Sequence, residues 1–134
     1  MTALAGAGLG LAVLQVPAQA AGWDLNGTGA GVVGAHAYGN ASRRGDDRVQ
    51  ITGTIKDTEE DGKLAIVELR ATYAEGSPRY ERDATGSSKA LGSTGGYNFA
   101  PTVRTISGRE CLGHKTASGA LVVDRCAAEW YRIW

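Results

Sequence analysis

The chain has 134 residues, with 14 basic and 14 acidic side chains, so it is formally neutral at pH 7. Neutrality argues against a nucleic-acid binder, which shows a basic excess on one face, and against attraction to an anionic membrane surface. The length allows one small domain.

Ala3 to Val16 is an almost wholly apolar run of 14 residues without a charge, followed by Pro17 and the small-residue triplet Ala18-Gln19-Ala20. This is the pattern of a secretory signal peptide. A spanning helix needs roughly 20 apolar residues, more than the run supplies. No Lys or Arg precedes it, and we read the displayed start as lying a few codons late. Residues 1–20 are therefore expected to be a signal, and the mature protein to be secreted, extracellular and free of the membrane.

Residues 21–47 are expected to form a Gly-rich arm. Gly22, Gly27, Gly29, Gly31, Gly34, Gly39 and Gly45 punctuate it, and backbone entropy makes such a segment costly to order. Trp23, Leu25, Val32, Val33, His36 and Tyr38 recur among the glycines, whereas a spacer would be Ser/Gly or charged. Such a segment orders against something apolar, either its own domain or a partner's groove. Trp23, Leu25, Val32, Val33 and Tyr38 are the expected partner-binding anchors.

Residues 48–134 read as a β domain. Val49, Ile51, Gly53 and Ile55 alternate with Gln50, Thr52 and Thr54, the period of a strand. Gly53 on the apolar face points to a bulge or a close backbone approach. Asp57 to Gly62 has turn chemistry. Lys63 to Tyr73 is a second strand, with Ala65, Val67, Leu69, Ala71 and Tyr73 on one face and Glu68, Arg70 and Thr72 on the other. The two strands are expected to pair as an antiparallel hairpin. Residues 74–96 read mainly as a polar surface excursion, with a short strand near Arg79 to Arg82. Val103 to Leu112 and Ala120 to Trp134 complete the strand set.

Cys111 and Cys126 are the only cysteines. In an oxidising compartment they are most simply one disulfide. Facing each other in a hairpin, they would place Ser118-Gly119 at a two-residue tip. The aromatic terminus Trp130-Tyr131-Arg132-Ile133-Trp134 should be packed. The expected fold class is all-β, a small antiparallel sandwich or barrel with one disulfide.

No catalytic set, metal site or cofactor is expected. Asp57, Glu59, Asp61, Gly62 and Glu68 match the spacing of a calcium loop of the helix–loop–helix kind. Their flanks alternate as strands, so an acidic turn is the reading, with calcium kept as a cheap test. His114, Ser118 and Asp124 resemble a hydrolase trio, but a serine at the hairpin tip lies too far from His114 to be activated. Arg44-Gly45-Asp46 spells an adhesion tripeptide at a turn. Trp23, Trp130 and Trp134 could make a sugar-stacking platform, although the last two are more simply packed.

The segments Val49-Gln50-Ile51-Thr52-Gly53, Asp61-Gly62-Lys63 and Val67-Glu68-Leu69 resemble the small exported β-sandwich proteins of filamentous actinobacteria. Among these, the architecture of signal, arm and two-cysteine β domain is similar to the adaptor subunit of umbrella toxin particles. The resemblance implies a non-enzymatic adaptor between larger secreted partners, a lectin subunit and a repeat-containing toxin, with the N-terminal arm inserted into one of them. The alternatives are a serine protease inhibitor presenting Arg79, Arg82 or Lys89 on an exposed loop, and a carbohydrate- or wall-binding module.

Overall fold

The computed structural model describes residues 21–26 and 32–134. The expected signal peptide lies outside these residues. The described chain forms β1 (Ala21–Asn26), β2 (Ala35–Arg43), β3 (Val49–Asp57), β4 (Leu64–Tyr73), β5 (Arg79–Thr85), β6 (Ser88–Ala90), β7 (Gly96–Phe99), β8 (Val103–Lys115), β9 (Leu121–Cys126) and β10 (Tyr131–Arg132). One sheet runs β1-β2-β3, with β6 and β7 both on the far side of β3. The other runs β5-β4-β8, with β9 and β10 both on the far side of β8. All pairings are antiparallel. The protein is an all-β sandwich with one disulfide, Cys111–Cys126.

Period-two alternation builds the core. Val49, Ile51 and Ile55 of β3 and Ala37 and Ala41 of β2 are buried with Ala65, Val67, Leu69 and Ala71 of β4 and Ile106 of β8. Phe99 and Leu91 join the same cluster. Each fully buried Val, Leu, Ile or Phe side chain of this cluster stabilises by about 1.5–3 kcal/mol, and the alanines by less. Small residues on β2 and β4 let the sheets approach, and bulk comes from the isoleucines, Leu69 and Phe99.

Several expectations are corrected. The structure places the segment read as an arm in the sheet, as β1 and β2. Trp23, Leu25 and Val32 are buried in this chain's own core cluster. The glycines are compatible with a strand because Gly39 and Gly53 pair directly, with Trp23 opposite Gly39. Gly53 is thus a close-approach glycine, as its position on the apolar face suggested.

β3 and β4 do not pair as a hairpin. Asp57 to Lys63 carries the chain from one sheet to the other, so β3 pairs with β2, β6 and β7, and β4 with β5 and β8. Alternation reports a buried face but not which sheet supplies the neighbour. The segment 74–96 is not a loose excursion either. It contains β5 and β6, and it buries Asp83 and Leu91.

The last hairpin keeps the expected register at the cysteines, Cys111 opposite Cys126. A bulge between Leu112 and Gly113 then shifts the pairing by one residue. The tip becomes a turn in which Gly119 N–H donates to Thr116 O and Thr116 N–H to Ala120 O. Gly119 has φ of +85°, the left-handed conformation such a turn requires. The C-terminal run divides into β9 and β10, and its end is packed as expected: the amides of Ile133 and Trp134 both donate to Ile106 O.

Candidate functional site

The outward face of the β5-β4-β8 sheet gathers the chain's most unusual surface. On β4 the outward positions are Ile66, Glu68 and Arg70. The register sets Ala84, Arg82 and Tyr80 of β5 beside them on one side, and Cys111, Arg109 and Ser107 of β8 on the other. Arg132 of β10 lies opposite Ser107. Four arginines therefore share these rows with one carboxylate, although the whole chain is neutral.

Trp130, in the connection between β9 and β10, closes over this face. Its ring lies 4.3 Å from the Arg109 guanidinium carbon and 4.5 Å from that of Arg70. Each such contact contributes about 0.5–2 kcal/mol, more where the cation is shielded from water. Here the shielding is real: Nε of both arginines is buried without a hydrogen-bond partner. Tyr80 flanks the indole at 6.3 Å between centroids and is 57% exposed.

Glu68 is the buried counter-charge. Its carboxylate accepts from Arg82 Nη2 at 2.9 Å and from Arg109 Nη2 at 3.2 Å. Its Oε1 also lies 3.1 Å from both sulfurs of the disulfide. A disulfide carries no proton to donate, so these are packing contacts rather than hydrogen bonds. The same three residues have metal-ligand spacing, but the sulfurs are bonded to each other and offer no thiolate.

Arg70 differs from its neighbours. Among the described residues no carboxylate pairs with it, and it lies against the Trp130 ring. The arrangement is an aromatic–guanidinium surface in which Arg82 and Arg109 share one carboxylate and Arg70 has none.

Other candidates fall elsewhere. Of the five expected anchors, Trp23, Leu25 and Val32 are buried, and Val33 is 68% exposed. Tyr38 is half-buried on the opposite outer face, beside His36 and under Lys56. Asp57, Glu59 and Glu60 line a groove with Lys63. Two of the loop's carboxylates serve its own backbone, Asp57 accepting from Glu59 N–H and Asp61 from Lys63 N–H. Glu68 is not with them. His114 Nδ1 and Asp124 Oδ2 are 2.9 Å apart across the last hairpin, while Ser118 sits at its tip against Thr116.

The three candidate inhibitor residues lie in strands with carboxylate partners: Arg79 with Glu81, Arg82 with Glu68, and Lys89 with Asp83. Arg44 and Asp46 of the adhesion-like tripeptide lie in the exposed β2–β3 turn, 3.9 Å apart and pairing with each other. Trp23 and Trp130 are on different faces, so the tryptophans do not form one platform.

Sequence reasoning placed Glu68 and Arg70 on one face, weighed Glu68 only as the end of a calcium-loop spacing, and assigned Arg70 no role. Net charge concealed the segregation, because the acidic residues of 57–61 offset the arginines in any whole-chain count. The signal was available in the alternation of β5 and β4, where Tyr80, Arg82, Glu68 and Arg70 all fall on outward positions. Trp130 had no such signal, since it lies between strands.

No protein-family model matches the chain, and no curated protein and no solved structure matches it.

Proposed function

We propose that the protein is a secreted, non-enzymatic binding protein that joins larger secreted partners through the outward face of the β5-β4-β8 sheet. The observation that carries this reading is the surface cluster in which Tyr80 and Arg82 are exposed and Trp130, Arg70 and Arg109 are half-buried beside them. Tryptophan, tyrosine and arginine are the residues that dominate binding energy at protein interfaces, and they do so when held rigid before contact. Here strand register, Glu68 and the disulfide hold them.

The adaptor role follows the resemblance to the umbrella-particle subunit and requires a second surface. Val33 is the expected N-terminal anchor that stands exposed. The lectin and repeat-toxin partners belong to this same proposal.

The test is affinity purification of the tagged mature protein from its producer's culture supernatant, followed by mass spectrometry. Larger secreted proteins in stoichiometric yield are expected with the wild type. They should be lost with the double variant Tyr80→Ala/Trp130→Ala, with its disulfide and cooperative melting retained. Recovery of the protein alone, or equal recovery with the double variant, overturns the reading.

A further inference from the structure

We infer that this face recognises a peptide carboxylate flanked by an apolar side chain, with Arg70 as the carboxylate anchor and Tyr80 and Trp130 as the apolar wall. The inference rests on the binding role just proposed and names the chemistry of the partner.

Charge complementarity is the first ground. Glu68 already engages Arg82 and Arg109 at hydrogen-bonding distance. Arg70, in the adjacent row, faces Tyr80 and Ser107 and has no acidic partner among the described residues. Its guanidinium carbon lies 4.5 Å from the centroid of the Trp130 ring and its Nε is covered, so its two terminal nitrogens are the part left to donate. A guanidinium edge matches a carboxylate with two parallel hydrogen bonds.

The second ground separates a peptide from a polyanion. A sulfated or phosphorylated polymer binds by neutralising a track of several unpaired cations. The single carboxylate of Glu68 leaves a net positive face, but the guanidiniums of Arg82 and Arg109 are both directed at it and Arg132 Nε donates to Trp134 O. The guanidinium without a directed hydrogen-bond partner is that of Arg70, beside two aromatic rings. That favours a single carboxylate next to a side chain able to pack on Tyr80 and Trp130.

The experiment is a solution titration of the full mature protein, observed by NMR on the Arg Nε–H and Trp Nε1–H resonances. The probes are the tetrapeptide Ac-Phe-Glu-Glu-Phe-amide, its Gln-Gln counterpart, and a heparin-derived sulfated oligosaccharide. The Glu peptide should shift the Arg70 and Trp130 resonances, with the Gln peptide weaker by about tenfold or more. Arg70→Gln should lose the preference for Glu over Gln, and Tyr80→Ala should weaken both peptides alike.

Equal binding of the two peptides, an unchanged preference in Arg70→Gln, or larger shifts with the sulfated oligosaccharide overturns the inference. The two proposals fail separately. If partner recovery from supernatant is lost in Tyr80→Ala/Trp130→Ala but unaffected by Arg70→Gln, the face is an interface and the carboxylate assignment is wrong.

Discussion

Trp23 lies across Gly53: a Cβ built on Gly53 would come within 2.7 Å of the indole Cζ2 and 2.3 Å of the Tyr38 carbonyl oxygen. On the neighbouring strand a Cβ at Gly39 would come 1.9 Å from Thr52 O. Gly53 of β3 thus makes the slot that Trp23 fills, Gly39 lets β2 lie close against β3, and a pattern that reads as an arm is a packed strand pair.

Trp23→Ala should therefore lower stability by about 3–5 kcal/mol, the cost of emptying a buried aromatic site. For a domain of this size that is a fall in Tm of about 10 °C or more. Trp23 Nε1 is buried without a partner, so Trp23→Phe should cost much less. Gly53→Ala and Gly39→Ala should also destabilise, by about 1–3 kcal/mol or more, because the obstructing atoms include backbone. Thermal melting measures all four. A Tm for Trp23→Ala within about 2 °C of wild type would return the segment to the status of an arm.

Glu68→Gln should weaken the fold and expose the disulfide. The substitution removes the counter-charge of two arginines whose side chains are 45% and 28% exposed, so solvent limits the loss to about 1–3 kcal/mol. It also removes a negative charge 3.1 Å from both sulfurs. Reductants attack as thiolate anions, and the carboxylate repels them. Reduction by dithiothreitol should accelerate in the variant by more than its global destabilisation accounts for. Equal rates, after correction for stability, would contradict the electrostatic part.

The strands of the β domain were legible because hydrophobic alternation and burial agree there: Ala65 to Ala71 carry the pattern on one face, and Val49, Ile51 and Ile55 carry it with Gly53 as the one gap. The disulfide was legible because Cys111 and Cys126 share a hairpin. What was hidden has physical reasons. Gly39 lowers the strand propensity of β2, and its fit against the backbone of Thr52 and Gly53 has no signal in the local sequence. Residues 79–91 carry their core contribution on Asp83 and Leu91, and a buried aspartate has no apolar signature. The binding face was half legible, since strand alternation groups Glu68 with Arg70 but cannot bring Trp130 over them.

Removing the disulfide with Cys111→Ala/Cys126→Ala should cost about 3 kcal/mol, as the bridge closes a separation of 15 residues. The β8–β9 end should loosen first, because β9 is an edge strand that, among the described residues, pairs only with β8, with one further ion pair from Asp124 to Lys63. Hydrogen exchange should show faster opening at Leu121 to Cys126 than at β4. Uniform acceleration over both strands would mean that the bridge acts on the whole domain rather than on this edge.

Calcium should leave the melting temperature unchanged. Asp57 and Asp61 hold the backbone of their own loop, and Glu68, the residue that would complete a calcium loop by spacing, is bound to arginines in the other sheet. A shift of several degrees between chelator and millimolar calcium would show that the acidic turn rearranges to bind the ion.

Alkaline titration tests the network that ties β5 to the β6–β7 connection. Asp83, 4% exposed, accepts from Tyr97 Oη–H at 2.6 Å and from Gly92 N–H, and pairs with Lys89. Burial first, then the hydrogen bond and the negative charge of Asp83, raise the Tyr97 phenol far above its ordinary value. The unfolded chain gives up this proton at about pH 10, while the folded protein retains it. Above that pH the folded state binds more protons than the unfolded one, so stability must fall as pH rises. Below it, the contribution is constant. Of the five tyrosines, Tyr97 should be the last to ionise in an ultraviolet titration. Tyr97→Phe should lower stability at neutral pH through the lost hydrogen bond, by about 1 kcal/mol, and flatten the decline above pH 10. A decline of equal slope in the variant would assign the alkaline loss to other groups and separate Tyr97 from the hold that Asp83 keeps on this edge.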